Sequence, residues 1–150
     1  ANSSSISDGA SAMVLATREE AEKRGLTPQA RIVAHATHAR LPAEFTLAPI
    51  GAIEKVLKKA GWSRDDVDLF EINEAFASVV LSWAKTVGAD MAKVNPNGGA
   101  ISLGHPLGAT GCFLITKAVH ELVRTDGRYG IISMCCGGGL GTGTLIERVA

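Results

Sequence analysis

The 150-residue sequence has no excess of charge of either sign, because 15 Lys and Arg residues balance 15 Asp and Glu residues. Binding to nucleic acid through its phosphates requires a basic excess or a basic patch. No apolar run approaches the ~20 residues that a membrane-spanning helix needs. At 46% hydrophobic and 20% charged residues, the composition is typical of one soluble globular domain. We therefore expect neither a nucleic-acid partner nor a membrane span.

Cysteine is scarce: the chain has only three, Cys112, Cys135 and Cys136. This number is too small and too odd for a disulfide framework, and a bridge between two adjacent cysteines would be strained. A reducing compartment, such as the cytoplasm, is the expected location. C-x-x-C and H-E-x-x-H spacings are both missing, so no metal is expected. The chain starts at Ala1 rather than at Met and has no secretion signal at its start, so we expect it to be a piece of a longer polypeptide.

Glycine, in contrast, is abundant, and 12 of the 17 glycines fall between Gly98 and Gly143. Their spacing does not match G-x-G-x-x-G or a G-K-[ST] phosphate loop. The segment 137–143 also lies between two predicted strands rather than before a helix, where an anion would bind. The glycines of the segment 137–143 are therefore predicted to let backbone N–H groups approach a reacting atom near Cys135.

Strand-like and helix-like patterns alternate along the chain, and glycine or proline ends most of the helices. The predicted helices begin at Thr17, around Pro49, at Ala75 and around Leu114. The predicted strands are five: 11–16, 31–37, 67–72, 130–134 and 144–149. Because several strands are almost wholly apolar, we predict an α/β fold with a layered, mixed but mostly parallel five-stranded sheet, an antiparallel hairpin at its end, and helices on both faces.

Three polar residues stand where strands or loops end, which is where sheets of this class place reactive groups. Asn73 follows a predicted strand, and the alternative to a functional role is a helix N-cap. His105 lies between Gly104 and Pro106, and the alternative is an ordinary surface histidine. Cys135 ends a buried strand before the glycine cluster, where it is either an inert small hydrophobe or an acid, base or nucleophile.

Four strings in this order resemble the C-terminal half of a thiolase, and they extend over essentially the whole chain. They are N-S-S-S-I-S-D-G-A (2–10), N-E-A-F-A (73–77), N-G-G-A-I-S-L-G-H-P-L-G-A-T-G (97–111) and C-C-G-G-G-L-G (135–141). N-E-A-F-A is a moderate signal, whereas G-H-P-x-G-A-[ST]-G followed by C-x-G-G-G is strong. The resemblance assigns residues 1–150 to a C-terminal thiolase domain whose N-terminal half lies outside this sequence.

The resemblance implies roles for seven residues. Cys135 would be the acid/base cysteine, with Cys136 a bystander, and His105 would activate a nucleophilic cysteine and donate to a thioester oxyanion. Asn73 would hold the water that completes this first oxyanion hole, and the N–H of Gly137 would serve a second one. Ser4, Ala75 and Phe76 match positions that line the tunnel for the pantetheine arm of coenzyme A.

The implied activity is reversible thiolytic cleavage of 3-ketoacyl-CoA to acetyl-CoA and a shortened acyl-CoA, in fatty-acid or sterol degradation. The C-C-G-G-G-L-G-T-G ending is similar to actinobacterial lipid- or sterol-degrading members. Coenzyme A would be a co-substrate, with no permanently bound cofactor, and the partners would be the N-terminal half and further copies in a homodimer or homotetramer. Because the family's nucleophilic cysteine is in that other half, this chain alone is expected to be inactive. A biosynthetic acetoacetyl-CoA thiolase and a non-catalytic thiolase-like scaffold remain the alternatives.

Overall fold

A computed structural model describes residues 2–149, which form a four-stranded sheet with helices on both faces. The strands are β1 (Ala30–Ala39), β2 (Leu69–Ile72), β3 (Tyr129–Cys136) and β4 (Leu140–Arg148). The α-helices are α1 (Arg18–Lys23), α2 (Ala48–Ala60), α3 (Ala77–Val87), α4 (Ala100–Leu103) and α5 (Thr110–Thr125). Short 3-10 turns occupy Pro42–Leu47, Arg64–Asp66 and Met91–Lys93.

The strand order in the sheet is β1-β4-β3-β2. β4 runs antiparallel to both of its neighbours, β1 and β3, and only β2 and β3 are parallel. The prediction of a mostly parallel sheet is therefore wrong. The reason is that the hairpin formed by β3 and β4 lies inside the sheet rather than at its edge, so its last strand pairs with β1 as well. The predicted mixed α/β architecture itself is confirmed.

The fifth predicted strand, residues 11–16, does not form in this structure. Val14 is 88% exposed and Leu15 is 69% exposed, although their pattern is typical of a buried strand. A strand needs a neighbouring strand to satisfy its N–H and C=O groups. The sheet edges are β1 and β2, and residues 11–16 pair with neither. An apolar run predicts that a segment is buried, but it does not identify the segment against which it packs.

The two faces of the sheet pack against different helices, as the alternation of side chains along a strand requires. On one face, Phe70, Ile131 and Leu145 belong to the same core as Val56 of α2 and Trp83 of α3. The opposite face packs against α5, and its core contains Leu69, Ile132, Ile146, Leu114 and Leu122. Helices on both faces, as predicted, are thus confirmed.

Most helix ends agree with the sequence signals. The Thr17 hydroxyl accepts a hydrogen bond from the N–H of Glu20 and caps α1. Gly61 and Gly88 adopt the left-handed conformation at the C-termini of α2 and α3, which only glycine adopts without steric cost. No helix within residues 2–149 combines the length and hydropathy needed to cross a bilayer.

Some glycines of the cluster after Cys135 serve packing rather than ligand approach. A Cβ on Gly141 would overlap the backbone of Ala48, and a Cβ on Gly143 would press on the carbonyl of Ala52. Both contacts are with α2, so these two glycines of β4 let the helix lie close to the sheet. The predicted role of these glycines, to present backbone N–H groups to a reacting atom, therefore applies only to the first glycines of the cluster, beginning at Gly137.

Candidate active site

Because β2 and β3 are parallel, Asn73 and Cys135 lie at the same end of the sheet, where the C-termini of these two strands meet. Ile72 pairs with Ser133 in the register, and the backbone N–H of Asn73 donates to the carbonyl of Ser133 at 2.9 Å. Asn73 follows β2 directly and is fully buried. It is not a helix N-cap, because α3 starts at Ala77 and its N-cap residue is Phe76. The buried amide is therefore free for another role.

That amide contacts the imidazole of His105. Asn73 Nδ2 lies 3.3 Å from His105 Nε2, and His105 Nδ1 lies 2.7 Å from Thr110 Oγ1. The Thr110 hydroxyl donates its single proton to the carbonyl of Pro106 at 2.9 Å, so its oxygen must accept from Nδ1–H. The network thus assigns the tautomer in which Nε2 carries a lone pair and accepts from the Asn73 amide. Burial also lowers the pKa of His105 below its ordinary 6.5, which favours the neutral ring.

The backbone of His105 is held by the segment near the start of the chain. The His105 N–H donates to the carbonyl of Ser5 at 3.1 Å. Gly104, with φ +89°, makes the turn into His105, and a Cβ there would collide with Ser7 Oγ. The N-S-S-S-I-S-D-G-A segment and the G-H-P loop therefore lie side by side, as parts of one site would.

Cys135 has an environment typical of a neutral thiol. It is 7% exposed and belongs to the core between the sheet and α2 and α3. Burial, and to a smaller extent the neighbouring thiol of Cys136, raises the pKa of Cys135. Within residues 2–149, hydrogen bonds join Asn73 to His105 but do not extend to the Cys135 thiol. The structure thus places the three residues near the C-terminal ends of β2 and β3 and joins two of them, Asn73 and His105, by a hydrogen bond.

Gly137 is the first residue beyond β3 and is exposed. A Cβ on Gly137 would meet no other atom of the described residues 2–149 within 4 Å, and the φ of Gly137 is not in the positive range. Neither a crowded backbone nor a left-handed conformation requires glycine there. Close approach of another group to the Gly137 backbone is the remaining reason for a glycine at this position.

The three residues expected to contact coenzyme A lie next to one another. Ser4 donates to the carbonyl of Ala75 through both its N–H, at 3.1 Å, and its hydroxyl, at 3.3 Å. Ser3 forms an isolated bridge with Phe76, a residue that is 41% exposed. The Phe76 ring packs edge-on against Phe45, with 6.0 Å between the ring centres. This arrangement gives a half-exposed apolar wall beside a polar strip.

These groups suit proton transfer at a carbonyl compound. A neutral histidine can accept a proton, a neutral thiol can give one, and amide and backbone N–H groups can stabilise an oxyanion. No cluster of three or more His, Cys, Asp or Glu residues with metal-ligand geometry occurs in the described part of the chain.

Sequence reasoning missed two residues that shape this site. Thr110 is almost fully buried and fixes the His105 ring, although in the sequence it is only one position of the G-A-T-G string. Glu74 contacts the loop before His105 through its carboxylate, although in the sequence it is only one position of the N-E-A-F string. Their contacts join residues that are distant in sequence, so only motif membership could have pointed to them.

Comparisons with known proteins point to one family. A family model described as "Thiolase, C-terminal domain" matches residues 26–148. The chain is 52% identical over 149 residues to the steroid 3-ketoacyl-CoA thiolase FadA6 of Mycobacterium tuberculosis, covering 99% of this chain and 37% of that protein. It is 49% identical over 148 residues to the cytosolic acetyl-CoA acetyltransferase of Mus musculus, with 99% and 37% coverage.

Solved structures are similar as well. The acetyl-CoA acetyltransferase of Bacillus anthracis superposes with a TM-score of 0.96 at 42% identity, covering 99% of this chain and 38% of that one. Human mitochondrial 3-ketoacyl-CoA thiolase gives a TM-score of 0.87 at 42% identity, with 89% and 34% coverage. The thiolase-like fold predicted from the sequence is confirmed by this likeness. The chain spans little more than a third of the length of these proteins.

Proposed function

Because this chain belongs to the thiolase family, with residues 26–148 matching the family's C-terminal domain, we propose that it supplies the acid/base side of a thiolase active site. The reaction is cleavage of a 3-ketoacyl-CoA by coenzyme A to acetyl-CoA and a shortened acyl-CoA. The observation that carries the proposal is the contact between Asn73 Nδ2 and His105 Nε2, at the end of the sheet where β3 finishes with Cys135 and Cys136.

Cys135 is the acid and base of the proposed mechanism. When the carbon–carbon bond of the 3-ketoacyl-CoA breaks, the electron pair stays on the acetyl-CoA carbon, which must take up a proton. The burial that raises the pKa of Cys135 keeps the thiol protonated and able to give that proton. The resulting thiolate then takes the proton of the incoming coenzyme A thiol, whose sulfur attacks the acyl group left on the enzyme.

His105 and Asn73 serve the nucleophile and the first oxyanion hole. With its lone pair on Nε2, His105 can take the proton of a nucleophilic cysteine and then donate it to a thioester oxygen. Asn73 Oδ1 is buried and has no hydrogen-bond donor among residues 2–149, which supports a role in holding a water molecule. The N–H of Gly137 serves the second oxyanion hole.

The substrate contacts involve the segment near the start of the chain. Phe76 provides an apolar wall for the pantetheine arm of coenzyme A, next to Ala75. Ser4, hydrogen-bonded to the Ala75 carbonyl, provides a polar contact. Coenzyme A is a co-substrate in this proposal, and no permanently bound cofactor takes part.

The nucleophilic cysteine lies outside this sequence, in the N-terminal half of the thiolase. Residues 1–150 provide the C-terminal half. The working enzyme is a homodimer or homotetramer in the bacterial cytoplasm. The chain on its own is inactive, because none of its three cysteines stands in the nucleophile's motif.

Degradation of fatty acids or sterols is the leading pathway, supported by the similarity to a protein named as a steroid 3-ketoacyl-CoA thiolase. Biosynthetic acetoacetyl-CoA formation is the second candidate, supported by the similarity to proteins named acetyl-CoA acetyltransferase. A scaffold without catalysis is disfavoured, because Asn73, His105 and Cys135 are all present.

The proposal is tested by thiolysis kinetics on the complete polypeptide that contains this chain, with 3-ketoacyl-CoAs of short and long acyl chains. Activity that falls by orders of magnitude in Cys135→Ala but persists in Cys136→Ala supports a catalytic thiolase. A preference for long or sterol-like chains supports degradation, and a preference for acetoacetyl-CoA supports the biosynthetic candidate. Absence of thiolysis with every substrate, from a folded polypeptide, would overturn the proposal.

A further inference from the structure

One carboxylate connects the turn that carries Asn73 to the loop that carries His105. We propose that Glu74 is a positioning residue that sets the distance between Asn73 Nδ2 and His105 Nε2. Glu74 follows Asn73 directly in the chain, and its side chain reaches the loop that ends at His105. The kinetic consequence of this role rests on the proposed function, but the geometric consequence does not.

The Glu74 carboxylate accepts two hydrogen bonds from two points of that loop. Oε2 accepts from the backbone N–H of Ile101 at 3.1 Å, and Oε1 accepts from Asn95 Nδ2 at 3.0 Å. Ile101 lies in α4, and Gly104, which follows α4, leads directly into His105. The carboxylate therefore holds the segment that places the imidazole at two points, at its start, Asn95, and at Ile101, four residues before His105. Hydrogen bonds to an ionised carboxylate are stronger than those between neutral groups.

Asn95 cannot adapt to a change at Glu74. Its Oδ1 accepts from the N–H of Ile72 at 2.8 Å, and its Nδ2 donates to the carbonyl of Ile72 at 2.9 Å. Rotation of the amide by half a turn would place donor against donor and acceptor against acceptor. Asn95 can thus offer Glu74 only an N–H donor, and Ile101 likewise offers only an N–H donor.

Gly99 provides the space for this arrangement. A Cβ on Gly99 would overlap the carboxylate carbon and both carboxylate oxygens of Glu74. The φ of Gly99 is −121°, so its backbone conformation does not itself require glycine. The second glycine of the N-G-G string is therefore explained by the position of the Glu74 side chain.

Glutamine in place of Glu74 has nearly the same shape but only one acceptor oxygen. Because Asn95 Nδ2 and the Ile101 N–H can only donate, at least one of them loses its acceptor in Glu74→Gln. The segment from Asn95 to His105 is then less firmly held against the turn at Asn73. A displacement of about 1 Å in a reacting group can lower a rate about 100-fold.

The test compares Glu74→Gln with Glu121→Gln in the complete polypeptide. Glu121 is the matched control because its carboxylate also binds the side chain of a residue near the start of this segment, Asn97, at 2.8 Å. It lies on α5 and has no hydrogen bond to the turn at Asn73. Each variant is measured for kcat and KM in thiolysis, for its thermal midpoint, and for the imidazole ¹⁵N chemical shifts of His105 in histidine-labelled protein.

We expect kcat to fall about 10- to 100-fold in Glu74→Gln with KM little changed, and the Nε2 shift of His105 to move. Glu121→Gln lowers the thermal midpoint but leaves kcat and the Nε2 shift as in the wild type. Gly99→Ala provides a second variant, since it displaces the Glu74 side chain without altering its chemistry, and it should reproduce the Glu74→Gln pattern.

Wild-type kcat and an unmoved Nε2 shift in Glu74→Gln would overturn the positioning role. So would equal losses of kcat in Glu74→Gln and Glu121→Gln. If the wild-type polypeptide shows no thiolysis at all, the proposed function fails. The ¹⁵N shift of His105 Nε2 in Glu74→Gln then tests the positioning role of Glu74 by itself.

Discussion

His105 Nε2 lies 3.3 Å from Asn73 Nδ2, although the two residues are 32 positions apart in the chain. The contact exists because Asn73 follows the short buried strand β2 and His105 stands at the end of a loop tied to the same strand. Together with the Thr110 contact on Nδ1, it identifies Nε2 as the imidazole nitrogen that carries the lone pair.

Thr110→Val should impair catalysis without unfolding the protein. The Thr110 hydroxyl accepts from His105 Nδ1–H, and valine has the same shape but no acceptor. The Nδ1–H group of His105 then has no acceptor, and we expect kcat to fall about 10-fold or more because the ring is less well oriented. Thr110→Ser keeps the acceptor and should retain most of kcat. Equal kcat in the valine and serine variants would contradict the role of this hydroxyl.

Gly137→Ala should separate activity from stability. A Cβ at this position meets nothing within 4 Å among residues 2–149, so we expect the thermal midpoint of the complete polypeptide to be unchanged. The same Cβ would occupy the space beside the N–H where a thioester oxygen must come, so thiolysis should be strongly reduced.

Gly139→Ala is the matched control for this variant. Gly139 has φ +96°, and a Cβ on it would overlap the carbonyl of Arg40. Forcing a non-glycine residue into such a conformation costs about 1–2 kcal/mol, and the overlap adds to this cost. A lowered thermal midpoint in Gly139→Ala but not in Gly137→Ala is the expected result. Full thiolysis by a stable Gly137→Ala variant would rule out substrate approach at this backbone.

A buried ion pair joins β2 to α5, and removing only one of its partners should be costly. Glu71 is fully buried, and its carboxylate lies 2.9 Å from Lys117 Nζ on α5. Burial raises the pKa of Glu71, and Lys117 partly offsets this effect. Lys117→Met leaves the carboxylate without a cation, which we expect to cost about 3–5 kcal/mol.

This cost should depend on pH in a defined direction. In Lys117→Met the pKa of Glu71 in the folded state rises further above the ordinary value of 4.5. The folded state then binds more protons than the unfolded state, so stability falls as pH rises above 4.5. Thermal midpoints at pH 5 and pH 8 should show the larger deficit at pH 8. The double variant Glu71→Gln with Lys117→Met should recover most of the loss, and a double variant no more stable than the single one would contradict the pairing.

Cys136→Ala should make Cys135 more reactive at lower pH. The Cys136 thiol contributes to the raised pKa of Cys135, so its removal lowers that pKa. Because iodoacetamide reacts with the thiolate, the pH profile of Cys135 alkylation should shift to lower pH. Alkylation followed by tandem mass spectrometry of the complete polypeptide measures this shift. A profile that is unchanged or shifted upward would show that Cys136 does not influence the Cys135 thiol.

The sequence predicted what depends on local patterns. Helix ends at Gly61 and Gly88 follow from the need for a left-handed residue there, and Asn73, His105 and Cys135 stood out because each follows a strand or lies among glycines. The pairing partners of strands depend instead on segments far apart in the chain, which explains the wrong topology around β4 and the strand expected at residues 11–16. Thr110 and Glu74 were missed for the same reason, because their importance comes from contacts with other segments.

The most direct test of the account is the exchange of the methyl protons of acetyl-CoA with D₂O, catalysed by the complete polypeptide. This exchange requires a base at the acetyl carbon but no carbon–carbon bond formation, so it isolates the step assigned to Cys135. We predict that Cys135→Ala abolishes the exchange in a polypeptide that remains folded, and that Cys136→Ala retains it. Exchange at the wild-type rate in Cys135→Ala, or its loss only in Cys136→Ala, would contradict the assignment of Cys135 as the acid and base.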